Sequence, residues 1–209
     1  MSYTDTVRQY CAKHKYEMLE VAKVQEKEFA DVPYKTLLKI LNRLEEERIV
    51  TSVSKGIYHI GTQILNEDKI ISKYTSNGKG MLIGYSLFNS IGLTDYEDEK
   101  IEIYSNAIAV NQHNIGHISI KRFNVKFDGQ MIDLISLLEI LDAGFEIIGC
   151  NYMAYLEIES LLCPSYSDYF FKKVTKAHRY QYSTVLRLSE ILKREQIPNR
   201  CLGIYAEQE

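Results

Sequence analysis

The chain is 209 residues long, 45% hydrophobic and 11% aromatic, with a formal net charge of −3. That length and apolar content suit one medium domain or two small ones, and the acidic balance restricts any nucleic-acid contact to a local basic face. No apolar run approaches the ~18–20 residues of a membrane span, and the N-terminus MSYTDTVRQYCAKHK lacks a signal peptide's apolar stretch, so a cytoplasmic protein is predicted.

Residues 1–61 hold ten Lys+Arg against nine Asp+Glu, net +1; the other 148 hold fifteen against nineteen, net −4. Ser2 and Thr4 precede a first predicted helix with Val7, Tyr10 and Cys11 on one face, and Asp5 sits near its N-terminal dipole. A second helical segment is predicted from about Leu19 to Phe29, with Val21, Val24 and Phe29 inward. Asp31-Val32-Pro33 leads into a third helix, with Pro33 at its first position. There Leu37, Leu41 and Leu44 repeat at helical spacing, while Lys35, Lys39, Asn42 and Arg43 fall on the opposite side. After Arg48 the period drops to two. Ile49–Val53 and Ile57–Ile60 flank Ser54-Lys55-Gly56, a short β-hairpin turn. Three helices followed by a β-ribbon predict a winged helix-turn-helix over residues 1–61, with a basic outer face suited to duplex DNA; a solvated charged face is the bland alternative.

Residues 62–80 are polar and mixed and read as a connector, with a short strand or helix around Ile70-Ile71. Met81–Gly92 is predicted as a helix with Leu87, Phe88 and Ile91 on one face. Strands are predicted at Lys100–Tyr104, within Asn114–Phe123 and at Val125–Phe127, forming a small, largely antiparallel sheet. Met131–Ala143 is apolar except for the stripe Asp133, Ser136, Glu139 and Asp142, so a helix buried on most sides is expected, ended by Gly144. Ser183–Glu195 is predicted as the last helix, with Pro198 just past its end. The whole is α+β: a winged helix-turn-helix, a connector, then over 81–209 a small α/β domain with C-terminal helices.

A catalytic constellation is not evident. His113 and His117 stand four apart, but Gly116 and the neighbouring strand signals argue against the helix that would bring both to one metal. The acidic run Asp95–Glu99 reads as a solvated loop, and Tyr104 stands where a second carboxylate would follow Glu102 in a nucleotidyl-transfer site. Cys11, Cys150, Cys163 and Cys201 form no C-x-x-C pair, and reduced thiols are expected. No enzyme, cofactor or metal is predicted. Tyrosines between Tyr152 and Tyr182 fit core packing first and a protein interface next, with base stacking on single-stranded nucleic acid the minor alternative. Lys172, Lys173, Lys176, His178 and Arg179 make that segment locally basic, which leaves a second nucleic-acid surface open.

The stretches LLKILNRLEEERIVTSVSKGIYHIG, with Gly56-Ile57-Tyr58 closing the wing, and IGYSLFNSIGLTDYEDEKIEIYSNA, followed by IGHISIKRF, resemble the AbiEi family of antitoxins from bacterial type IV toxin–antitoxin (abortive-infection) systems. The resemblance covers about residues 1–145. It implies an autorepressor that binds its own promoter and counteracts a nucleotidyltransferase toxin. By position it implies DNA contacts from Tyr34, Lys35, Thr36, Lys39, Asn42 and Arg43 on the recognition helix and from Lys55 in the wing. A palindromic operator would call for a homodimer. Glu45-Glu46-Glu47 departs from the family's more basic helix. The alternative is a protein-interaction module that docks a partner through the winged helix and the tyrosine-rich region, without specific DNA binding.

Overall fold

The structure is a computed structural model that describes residues 2–61 and 66–208. It is a mixed α+β chain in two compact units, residues 1–70 and 71–209.

The first unit opens with helix α1 (Tyr3–Lys13). Ser2 caps it in a reciprocal box with Asp5, the Ser2 hydroxyl accepting from the Asp5 N–H and the carboxylate accepting from the Ser2 N–H. Strand β1 (Met18–Glu20) follows, then α2 (Val21–Lys27). Leu19 therefore lies on a strand and not at the start of the predicted second helix. Tyr16 adopts φ +68° and its N–H donates to the Ile60 carbonyl, which turns the chain into an extended pairing that local periodicity does not encode. Helix α3 runs Tyr34–Glu46, with Pro33 as its N-cap, one position before the place expected. Strands β2 (Val50–Ser54) and β3 (Ile57–Ile60) form the hairpin, and Gly56 takes φ +76° at its turn. The sheet order is β1-β3-β2, all antiparallel. Leu37, Leu41 and Leu44 of α3 are fully buried with Val7, Cys11, Leu19, Phe29 and Val50 in one core.

Of the predicted connector, residues 62–65 lie outside the described residues. The rest is not bare chain: it carries α4 (Glu67–Thr75), within which the two units meet in sequence. The second unit begins its sheet at β4 (Gly80–Ile83), inside the stretch predicted as one helix from Met81. Gly84, at φ +61°, breaks the strand and opens α5 (Tyr85–Ser90), so the helical spacing of Leu87 and Phe88 is real but short. Strands β5 (Ile101–Ser105), β6 (Gln112–Ile115) and β7 (Ile118–Arg122) complete a sheet of order β4-β5-β7-β6. Two pairings are antiparallel, but β5 and β7 run parallel.

Val125–Phe127 is not a strand. Its backbone goes instead to the Asn106 side-chain amide, which donates to the Val125 carbonyl at 2.6 Å, and to the Gly78 carbonyl, which accepts from Phe127. Helix α6 (Gly129–Ala143), capped by the Asp128 carboxylate on the Met131 N–H, is buried on most sides and ends at Gly144, φ +56°. Around it pack α7 (Tyr152–Leu162), α8 (Asp168–Ala177) and α9 (Tyr182–Arg194). A further helix, α10 (Cys201–Ala206), lies beyond the predicted end; Tyr205 buries its ring and its hydroxyl donates to the Tyr180 carbonyl.

Candidate nucleic-acid interface

Helix α3 buries one face and exposes the other because its apolar residues recur at i, i+4 and i+7. On the exposed face Lys35, Lys39 and Asn42 lie one above another, with Arg43 beside them and all four exposed. Thr36, on the Arg43 flank, is half-buried. Tyr34 lies on the other flank, 44% exposed, with its hydroxyl 3.7 Å from where a Cβ on Gly56 would sit. The start of α3 and the tip of the hairpin, with exposed Lys55, are thereby neighbours. Among the described residues, no carboxylate lies within ion-pair distance of Lys35, Lys39, Arg43 or Lys55.

The acidic triplet after Arg43 is largely accounted for. The Glu45 carboxylate accepts the Ser52 N–H at 2.7 Å and fastens α3 to β2. Glu47 pairs with Arg8 at 2.7 Å, an exposed ion pair whose two charges cancel at a distance. Glu46 alone points outward without such a partner, on the same stripe as Lys35, Lys39 and Asn42.

Asn42 is less free than its position on α3 predicts. The Tyr58 hydroxyl of β3 donates to its Oδ1 at 3.0 Å, so a bidentate contact to adenine would require that oxygen to accept twice. Burial, with Glu45 and Tyr34 nearby, raises the Tyr58 pKa and keeps the hydroxyl a donor. Tyr58, Glu45 and Arg8 are the shaping residues that periodicity missed; the only signal was Tyr58 closing the hairpin.

Elsewhere, Asp95–Glu99 is an exposed loop. Glu102 is bridged by Lys121 at 2.9 Å and Lys100 at 3.0 Å; burial pushes its pKa up, but the two lysines outweigh it and hold the carboxyl below its usual value. Tyr104 turns from Glu102 to donate to Glu139, so the strand offers no carboxylate pair. His113 is on β6 and His117 in the turn before β7; among the described residues, no group of three or more His, Cys, Asp or Glu is placed to hold a metal. The four cysteines are free thiols, and burial pushes Cys11 up to about 11, far from thiolate reactivity. Among the described residues, no helix is long and apolar enough to cross a membrane.

The fold defines the chain as a two-unit α+β protein. No protein-family model and no curated protein matches it. Among solved structures, it is similar to the RV2827C protein of Mycobacterium tuberculosis, at 13% identity and a TM-score of 0.42, over 98% of this chain and 80% of that one. A likeness of that size leaves function to be argued from this chain's own residues.

Proposed function

We propose that residues 1–61 form a winged helix-turn-helix that binds duplex DNA, and that the chain is an autorepressor acting as the antitoxin of a type IV system against a nucleotidyltransferase toxin. The observation that carries the DNA reading is α3 itself. It lies in the order α1-β1-α2-α3-β2-β3 and presents Lys35, Lys39 and Arg43 with no carboxylate within ion-pair distance among the described residues, Glu46 being the one opposing charge on that face. In this reading α3 enters the major groove, its cations meeting phosphates or guanine edges, and Lys55 reaches a neighbouring phosphate from the wing. Glu45 holds helix and wing at one angle, so both can meet the same duplex. The antitoxin role rests on the resemblance to AbiEi proteins.

The test is fluorescence anisotropy of the full chain on its own upstream DNA and on a scrambled duplex, at two salt concentrations. Specific binding with a steep salt dependence is expected. The Lys35→Ala/Lys39→Ala variant should weaken binding to both duplexes and lower the salt slope by roughly two, about one per phosphate contact. An unchanged slope would remove α3 from the interface. Glu46→Gln is expected to act in the opposite sense, tightening binding to both duplexes, since it removes the unpaired negative charge on that face; the same titration reads it.

A second reading, a protein-docking module, is favoured by α7. Phe145, Ile148, Tyr152, Met153, Leu156 and Leu161 are exposed on or beside this helix. A stoichiometric protein partner lost on Leu156→Glu, together with no preference for the upstream duplex, would support it.

A further inference from the structure

The second unit carries the chain's whole negative balance: residues 71–209 hold 14 Lys+Arg and 17 Asp+Glu, against 11 and 11 in residues 1–70. Yet one place in it is strongly positive. Within 168–179 four cations, Lys172, Lys173, Lys176 and Arg179, accompany a single carboxylate, Asp168. That carboxylate is occupied on one oxygen by the Tyr166 hydroxyl at 2.7 Å and the Arg200 N–H at 2.9 Å. Lys173 and Lys176 share a face of α8 with Tyr169, at positions i+4 and i+7 from it.

This face borders a cleft of about 590 Å³, lined by Lys173 and Lys176 on one side and by Asn106, Asn124 and Lys126 on the other. Lys176 also borders a neighbouring cleft of about 340 Å³ that holds Arg179 and Gln208. Among the described residues, Lys126, Lys172, Lys173 and Lys176 have no carboxylate within ion-pair distance. Tyr169 is 63% exposed, and the Lys173 ammonium sits over its ring at 4.2 Å. Apart from an edge-on contact with the Phe170 ring at 5.4 Å, Tyr169 leaves its ring to solvent and to Lys173.

We infer that this cleft is a second nucleic-acid site, one that binds a single strand. Lys126, Lys173 and Lys176 meet successive phosphates, and the exposed Tyr169 ring stacks on an unpaired base. Two features favour a single strand over a duplex. The positive charge lies on both walls of an open cleft, Lys126 on one and Lys173 and Lys176 on the other, and stacking on Tyr169 needs a base whose face is open, which a paired base does not offer. RNA and single-stranded DNA share this chemistry. The inference is independent of the duplex reading of α3.

The test is anisotropy of the full chain on dye-labelled oligo-U, oligo-dT and a mixed-sequence duplex. Lys126→Glu/Lys173→Glu/Lys176→Glu and Tyr169→Ala are compared with the parent, and folding is checked by circular dichroism; all four side chains are exposed. Single-strand binding is expected with a salt slope near −2, about −0.7 per phosphate contact. The triple variant should abolish it. Tyr169→Ala should weaken it roughly 5- to 100-fold, the range of a lost stacking contact, without altering the salt slope. Lys35→Ala/Lys39→Ala should leave it unchanged while weakening the duplex, so failure of one site is distinguishable from failure of the other. Preference for oligo-U over oligo-dT would identify RNA, and the reverse DNA. Equal loss of duplex and single-strand binding in the triple variant, insensitivity to Tyr169→Ala, or equal competition by poly-glutamate would overturn the inference.

Discussion

The Glu139→Gln variant is expected to be the more stable protein at pH 8 and no more stable than the parent at pH 4.5. Glu139 sits half-buried on α6, facing Tyr104 of β5 and Tyr180 from the segment between α8 and α9. The Tyr180 hydroxyl donates to it at 2.9 Å and the Tyr104 hydroxyl at 3.2 Å. Burial raises its pKa, the two tyrosines and Lys121 oppose the rise, Asp142 adds to it, and the outcome is a carboxyl pushed up to about 7 from an ordinary 4.5.

A folded-state pKa above the unfolded value means that, between about 4.5 and 7, the folded protein keeps a proton the unfolded chain has lost. Stability from this group is therefore full below that window and declines as pH climbs through it, by roughly 3 kcal/mol in total. Glutamine keeps an oxygen to accept from both tyrosines and has no proton to lose. His178, whose ring lies 5.8 Å from that of Tyr104, has the opposite slope: burial lowers its pKa, so its contribution is lost as pH falls. It is common to both proteins and cancels in the difference. Urea midpoints at pH 4.5, 6 and 8 measure that difference, and a pH-independent gap would show that Glu139 is not held in its neutral form.

Gly80→Ala is expected to cost about 3 kcal/mol or more, a fall of roughly 10 °C in the melting temperature of the second unit. Gly80 opens β4 opposite Ser105 of β5, and its backbone dihedrals are ordinary. The restriction is space. A Cβ there would overlap the Tyr104 carbonyl oxygen and lie 2.5 Å from the Tyr74 carbonyl oxygen and 3.1 Å from the Ser105 Cα. These are backbone atoms that cannot swing aside, and the Ser105 hydroxyl already ties them together by donating to the Tyr74 and Lys79 carbonyls. Gly129, in the first turn of α6 with open space around it, is the control, and Gly129→Ala should shift stability by no more than about 0.5 kcal/mol. Equal melting of the two variants would mean that β4 does not approach Tyr74 so closely.

What the sequence disclosed follows from the range of the forces involved. Leu37, Leu41 and Leu44 were legible because a buried helix face repeats within a few residues, and so were the cations opposite them. Strands β1 and β4 were hidden because their partners are distant. Met18 pairs with His59 and Met81 with Tyr104, and no local pattern records a pairing across tens of residues. In both places apolar residues at near-helical spacing outvoted a single left-handed residue nearby, Tyr16 or Gly84. The candidate interface divides in the same way. Its list of cations came from periodicity, whereas the tethering of Asn42 by Tyr58 and the disposal of Glu45 and Glu47 depend on contacts across the fold. The single-strand cleft lay half in view: the basic run on α8 is in the sequence, but its opposite wall comes from Asn106, Asn124 and Lys126, some fifty to seventy residues earlier.

The sheet order β1-β3-β2 has a consequence for the growing polypeptide. The strand synthesised last is the one in the middle, so β1 and β2 have no partner until residues 57–60 have left the ribosome. Until then α3 has no sheet to settle on, Asn42 lacks the Tyr58 hydroxyl, and the Ser52 N–H that Glu45 accepts is on an unpaired strand. A nascent chain stalled before Ile57 would display its basic helix without a fixed orientation. The fold of the first unit is thus completed in one step, when a four-residue strand closes its sheet.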